Sequence, residues 1–224
     1  MSNKFKNPAT PQITTPVNVD RPIQEMQKAL GLGLPWLEKS FGRAYPAIKT
    51  SQGSFGVQKV LVYPQVWQGV RDFKGTILPL DMFEVLGNDN LKSFCFFKVE
   101  DPVNLVEFVL GGDSVFKATV SIIFWFNLRR IDPAIDYPFT EILKGQVIRI
   151  LESMTFAAWS SAAVLRIWEG PANVFRGYDI SILKDQELVY PWGGFRVETE
   201  VTYRDDLADC MPGDNPIPVE PDPI

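Results

Sequence analysis

Residues 117–131 read KATVSIIFWFNLRRI. Ala118, Val120, Ile122, Phe124, Phe126 and Leu128 fall at every second position. Between them stand Thr119, Ser121, Ile123, Trp125, Asn127 and Arg129. One face is wholly apolar and the other mixed, the pattern of a half-buried strand. After Asp132-Pro133 the period changes. From 136 to 153 the chain reads DYPFTEILKGQVIRILES. Here Phe139, Ile142, Leu143, Val147, Ile150 and Leu151, with Met154 just beyond, recur at three and four residues, one stripe of an amphipathic helix. Asp136 suits the cap and Pro138 the first turn. Gly145 weakens the middle by about 1 kcal/mol relative to Ala. A long strand feeding a helix that covers its apolar face is the nucleus of a two-layer α/β sandwich.

Toward the N-terminus, residues 91–99 (LKSFCFFKV) read as a strand, and 57–66 (VQKVLVYPQV) as another. Pro64 argues for an edge or a bulge in the latter. A short strand is expected at 75–80 and a loop at 87–90. Leu105, Phe108 and Val109 suggest a short helix ended by Gly111-Gly112. Residues 23–30 (IQEMQKAL) read as a helix, with Asp20 as cap and Pro22 near the first turn. Gly31 and Gly33 interrupt it. Residues 34–42 suit a restart, with Trp36, Leu37 and Phe41 as its stripe, and 49–56 a loop. Residues 1–22 carry Pro8, Pro11, Pro16 and Pro22 and about two net positive charges. They read as a disordered terminus or, more sharply, as an extended arm that orders on a neighbouring subunit.

Toward the C-terminus, the Ala-rich 156–168 (FAAWSSAAVLRIW) suits an extension of the helix or a second one. Residues 169–177 read as a loop and 178–183 (YDISIL) as a strand. In 195–204 (FRVETEVTYR), Phe195, Val197, Val201 and Tyr203 point inward and Arg196, Glu198, Glu200, Thr202 and Arg204 outward. MPGDNPIPVEPDPI (211–224) is too rich in proline for a helix or a central strand. The expected fold is α+β, a mostly antiparallel sheet with helices packed on one face, and extended Pro-rich N- and C-terminal arms. Its sheet would hold 57–66, 91–99, 118–130, 178–183 and 195–204. The expected layout is an arm at 1–22, one domain at 23–207, and a Pro-rich acidic tail at 208–224.

Composition limits the chemistry. The chain has 224 residues, 46% of them hydrophobic, with 16 Phe and 6 Trp, enough for a good core. It has no histidine, which removes Ser-His-Asp and Cys-His nucleophile systems and His-based zinc sites. Two cysteines, Cys95 and Cys210, cannot make an all-cysteine zinc site, and their separation argues against a structural disulfide. The opening MSNKFKNPATPQ lacks the apolar stretch of a secretory signal, and a reducing cytoplasm at synthesis is expected. No cofactor motif is visible, and no apolar run is long enough to cross a membrane. Of the 27 acidic residues, Asp205, Asp206, Asp209, Asp214, Glu220 and Asp222 lie in 205–224, which has no Lys or Arg. The body is therefore nearly neutral and offers no basic face for nucleic acid.

Several constellations have a chemical and a plainer reading. Glu198 and Glu200 share a strand face about 7 Å apart, as acid/base pairs require, but a solvated face alternating with Arg196 and Arg204 explains them as well. Asp205, Asp206 and Asp209 resemble a cation loop without its glycine turn or closing glutamate. Gly111-Gly112 and Gly193-Gly194 read as turns rather than phosphate loops. Arg129-Arg130 are too few to argue for a phosphate site, and a strand-end ion pair suffices. Trp36, Trp67, Trp125, Trp159, Trp168 and Trp192 could make a sugar platform, the basis of an alternative reading as a carbohydrate- or ligand-binding module using surface tryptophans. Their scatter favours core and subunit contacts.

The strand YDISIL followed by YPWGGFRVETEVTYRDD (190–206) resembles the last hairpin of tail-terminator and tail-completion proteins of tailed bacteriophages. There an aromatic-Pro pair, here Tyr190-Pro191, precedes a final alternating strand that ends in a Thr-Tyr-Arg-like motif, here Thr202–Arg204. The order of elements across about 23–207 is also similar; 156–168 and the Pro-rich tail have no place in the pattern. The resemblance implies a structural virion subunit without an active site, forming hexameric or dodecameric rings at the neck or tail end. Its partners would be copies of itself and other neck, connector or tail-tube proteins. DNA would pass without sequence-specific binding. The protein would be made in the host cytoplasm and end in the virion. Arg196, Glu198, Glu200, Thr202 and Arg204 of the last strand, with Ile217, Val219 and Ile224 of the tail, are the candidate ring-interface residues.

Overall fold

A computed structural model describes residues 18–52, 58–67, 82–85, 91–108, 114–156, 160–180 and 188–205. Among them are four helices, α1 (Asp20–Gly33), α2 (Leu128–Ile131), α3 (Thr140–Ser153) and α4 (Pro171–Val174). There are seven strands, the first five consecutive after α1: β1 (Lys39–Gln52), β2 (Gln58–Trp67), β3 (Met82–Glu84), β4 (Ser93–Glu107), β5 (Ser114–Asn127), β6 (Ser161–Trp168) and β7 (Trp192–Asp205). They form one sheet in the order β3-β2-β1-β4-β5-β7-β6. Every pairing is antiparallel except β1 with β4. The fold is α+β with a mostly antiparallel sheet, and its two long helices share one face.

That face begins with the period-two residues of β5. Val120, Ile122, Phe124 and Phe126 are fully buried, with Cys95 and Phe97 of β4 and Phe195 and Val197 of β7 beside them. Phe124 stacks on Phe195 with ring centroids 4.8 Å apart. Against these lie Ile23, Met26 and Leu30 of α1 and Leu143, Val147 and Leu151 of α3. Each such side chain contributes about 1.5–3 kcal/mol when withdrawn from water. Thr199, the polar residue in this row of β7, donates its hydroxyl to the Val120 carbonyl at 2.9 Å.

The opposite face is not solvated either. Ile123 and Trp125 are fully buried, beside Phe94 and Phe96 of β4. Val174 and Phe175, from α4 and just after it, cover them. β5 is therefore buried on both faces rather than half-buried.

Several expectations give way. Residues 34–42 do not restart a helix, and 49–52 are not a loop. Trp36 and Leu37 are buried in a turn, and Phe41 lies on β1, which runs through both segments. The helix α1 continues through Gly31 to Gly33, where a Cβ would come within 2.6 Å of Ile150 Cδ1. Glycine there lets α1 approach α3. Neither Asp20 nor Asp136 caps its helix; Val19 and Phe139 occupy those positions without a side-chain bond. Residues 161–168 form β6, not a helix. Residues 101–107 continue β4 as strand, so the short helix expected at Leu105 and Phe108 is absent. Pro64 is on neither an edge nor a bulge; β2 lies between β1 and β3 and pairs with β1 in unbroken register. Residues 178–180 carry no strand, and β7 pairs with β5 and β6, so no final hairpin with 178–180 forms. Gly193-Gly194 are not a turn but open β7 under the rings of β5. The strand expected at 75–80, the loop at 87–90, Gly111-Gly112 and both arms beyond 18 and 205 lie outside the described residues.

Candidate functional site

On the sheet face away from the long helices, β4, β5, β6 and β7 bring six polar side chains together. Registers set them in a row: Lys98 opposite Ser121, Ser121 opposite Glu198, Glu198 opposite Arg166. Arg196 is fully buried and Glu198 is 1% exposed. Both were expected to face water. Their burial removes them from any subunit surface, and the solvated-face reading of Glu198 fails.

The Arg196 guanidinium is surrounded by acceptors. Its Nε donates to Ser121 Oγ at 2.9 Å and lies 3.6 Å from Glu198 Oε1. Nη2 pairs with Glu100 Oε1, and Nη1 reaches the carbonyls of Asn173 and Arg176, each at 3.5 Å. Glu198 accepts from Arg166 Nε at 2.6 Å and from Arg176 Nη2 at 3.2 Å. Glu100 holds Lys98 Nζ at 2.9 Å. Four cations thus share two carboxylates. Through Asn173 and Arg176, the cluster fastens the α4 turn over the aromatic patch.

Its chemistry follows from its electrostatics. Burial pushes the Glu198 carboxyl up. The Trp168 indole close by and the Arg166 and Arg196 charges outweigh it, so the pKa sits below the ordinary value. Burial pulls the Arg196 guanidinium down, against the pull of Glu100. Burial and then the Glu100 charge raise the Tyr178 phenol. An ionised carboxylate saturated with donors is a poor general base. The cluster is built to hold chain segments together.

Elsewhere the other candidate residues separate. Glu200 pairs with Lys117 at 2.8 Å, half-exposed, and does not approach Glu198 as a catalytic couple. Thr202 and Arg204 are half-buried near the end of β7, while Ile217, Val219 and Ile224 lie outside the described residues. Asp205 ends β7; Asp206 and Asp209 are outside the described residues. Among the described residues, no group of three or more His, Cys, Asp or Glu could hold a metal. Burial pushes the Cys95 thiol up to about 12, with Ser40 Oγ 3.4 Å away. Arg129 lies on the Tyr190 ring, 5.2 Å from its centroid. Trp36 and Trp125 are buried, and Trp125 stacks on the half-buried Trp192 at 4.4 Å, so these make core rather than a platform. A cavity of about 660 Å³ opens between the end of α3 and β6, lined by Leu151, Met154, Phe156, Ala162, Val164 and Thr199. Its lining also carries the Glu152 carboxylate and the hydroxyls of Thr155, Ser160 and Ser161.

A second feature sits where the sheet divides. β1 runs beside β4 only as far as Arg43 opposite Phe97. Beyond that, β1 continues with β2, and β4 with β5. The inner part of β4 is buried; residues 101–107 are exposed throughout. Val103, Leu105, Val106 and the adjoining Phe108 are 41% to 67% exposed. Single exposed apolar residues are ordinary, but four in six positions on one arm mark a contact surface. The sequence held a signal for it, since VNLVEF has no core-facing alternation; its spacing suggested a helix instead.

No protein-family model matches the chain, and neither a curated protein nor a solved structure is significantly similar to it.

Proposed function

We propose that this chain is a non-enzymatic structural subunit that assembles with copies of itself into a ring at the neck or tail end of a tailed bacteriophage. The observation that carries the assembly reading is the exposed apolar arm of β4, on a domain whose two sheet faces are already covered from within. A strand without a core beneath it gains its stability from a partner. The phage assignment rests on the likeness of Tyr190-Pro191 and the alternating strand through Arg204 to tail-terminator and tail-completion proteins. A saturated ion cluster where a catalytic pair was conceivable fits a structural role. In this reading six or twelve copies close a ring that contacts other neck, connector or tail-tube proteins. DNA passes through without sequence-specific binding, and the protein resides in the virion after assembly in the host cytoplasm.

Light scattering and electron microscopy of the purified full chain test the assembly, and rings of six or twelve are expected. Deleting the gene from a phage that carries it should leave unjoined heads and tails, or tails of uncontrolled length. Infectious particles formed normally without the protein would overturn the phage role.

A further inference from the structure

Past the division of the sheet, β4, β5, β7 and β6 continue as a four-stranded ribbon with two edges. One edge is the outer half of β4, residues 101–107, which pairs on one side only, with β5, among the described residues. The other is β6, which pairs only with β7 among them. Each presents backbone donors and acceptors to its open side, interrupted on the β4 edge by Pro102, which has no N–H, and by register shifts between Glu100 and Glu107.

The two edges match in length, charge and polarity. β6 has eight residues and the free stretch of β4 about as many. The β4 edge carries Asp101 and Glu107 and no Lys or Arg. The β6 edge carries Arg166 as its one charged residue, 59% exposed, with Arg176 beside it at 55%. Both belong to the cluster in which four cations share two carboxylates. Leu165 of β6 is 49% exposed, as Leu105 of β4 is 54%. β6 lacks the lysines with which natural edge strands resist pairing. The registers also stagger the two edges. Ser161 at the start of β6 is level, through Thr202 and Lys117, with Asn104 in the middle of the β4 edge. Repeated joining would therefore tilt the strands, as a closed sheet requires.

We infer that the outer edge of β4 in one copy adds to the β6 edge of the next, a head-to-tail contact that continues the sheet from subunit to subunit. The occupant of each edge is a second copy of this chain. The contact is heterologous, so it closes into a ring or runs on as a filament. This inference rests on the ring reading and names the surfaces that build it.

Mixed labelling tests it. In full chains carrying Cys210→Ser, with Cys95 buried, Leu105→Cys and Leu165→Cys are made separately. After exposure to a short bis-maleimide, neither variant alone should give covalent dimers, and a mixture of the two should. Leu105→Lys and Leu165→Lys should each raise the concentration for half-assembly roughly tenfold or more, with circular-dichroism melting unchanged. Rings that form with no crosslink in the mixture, and unweakened by either lysine, would overturn the edge contact and leave the ring reading standing. Dimers from Leu105→Cys alone would mean a symmetric contact and overturn it as well. A chain that stays monomeric at every attainable concentration would overturn both.

Discussion

On one face of β5, Val120, Ile122, Phe124 and Phe126 meet two long helices. On the other, Ser121, Ile123 and Trp125 share their cover with Arg196, Glu198 and a four-residue helical turn. The first face is held by apolar area, which is non-directional and forgiving of small changes in shape. The second adds directed bonds. Arg196 is tolerable there because Ser121, Glu100, Glu198 and two carbonyls all receive it. Removing one partner leaves a charge buried and unmatched. Equal burial therefore hides unequal tolerance to mutation.

The comparison breaks first at Ile122. Ile122→Asp puts an unpaired charge among Phe97, Phe124 and Val197 and should cost several kcal/mol, about 4 or more. Far-ultraviolet circular dichroism should find it unfolded or melting far below wild type; a wild-type melting curve would mean that the face is misassigned. Glu198→Ala comes next, at about 3–5 kcal/mol, because Arg196 stays buried. The double variant Arg196→Met with Glu198→Leu should recover much of that loss in urea titrations. A double variant as weak as the sum of its parts would mean that the cluster does more than satisfy its own charges.

Gly194→Ala is milder. Its Cβ would sit 2.7 Å from the Phe124 carbonyl oxygen, so β7 must shift, at about 1–3 kcal/mol in denaturant unfolding. Smallest is the response to acid. Glu198 has its folded pKa below the ordinary 4.5. Its contribution is complete above that value and is lost as pH falls from there through the lower folded pKa. Asp20, raised by burial against the pull of Arg43, acts with the opposite sign and gains on acidification. Melting temperatures from pH 6 to pH 3 should fall, and fall less steeply in Glu198→Gln. An identical slope in that variant would place the acid sensitivity elsewhere.

Much of the helix-covered face was legible in the sequence. The strands β5 and β7 and the stripe of α3 appear there as period two and period three-to-four, because each has one face on a core. The outer half of β1 was not legible. Tyr45, Pro46 and Ile48 sit on an arm with no core to impose alternation, so nothing distinguishes them from a loop. The strand β6 misled for another reason. Ala162 packs on the edge of the core while Ala163 faces out, and small residues in series carry helix propensity that pairing with β7 overrides. The ion cluster is not legible in the sequence because alternation ordinarily means water on the polar side. Ile123 and Trp125, on that same side of β5, held the contrary signal, since such residues in a central strand imply cover.

Among the described strands, β7 comes last along the chain and yet lies inside the sheet, between β5 and β6. While the chain is being synthesised, β5 emerges and pairs with β4, but its other edge must wait for 65 further residues, from Asn127 to Trp192. Until then β6 has no neighbour at all. Pairings this distant close slowly. A growing chain therefore displays a bare edge of β5, and then β6 as a lone strand, before it can hide either. Chaperones that bind extended apolar segments, and association between neighbouring nascent chains, would act in that interval.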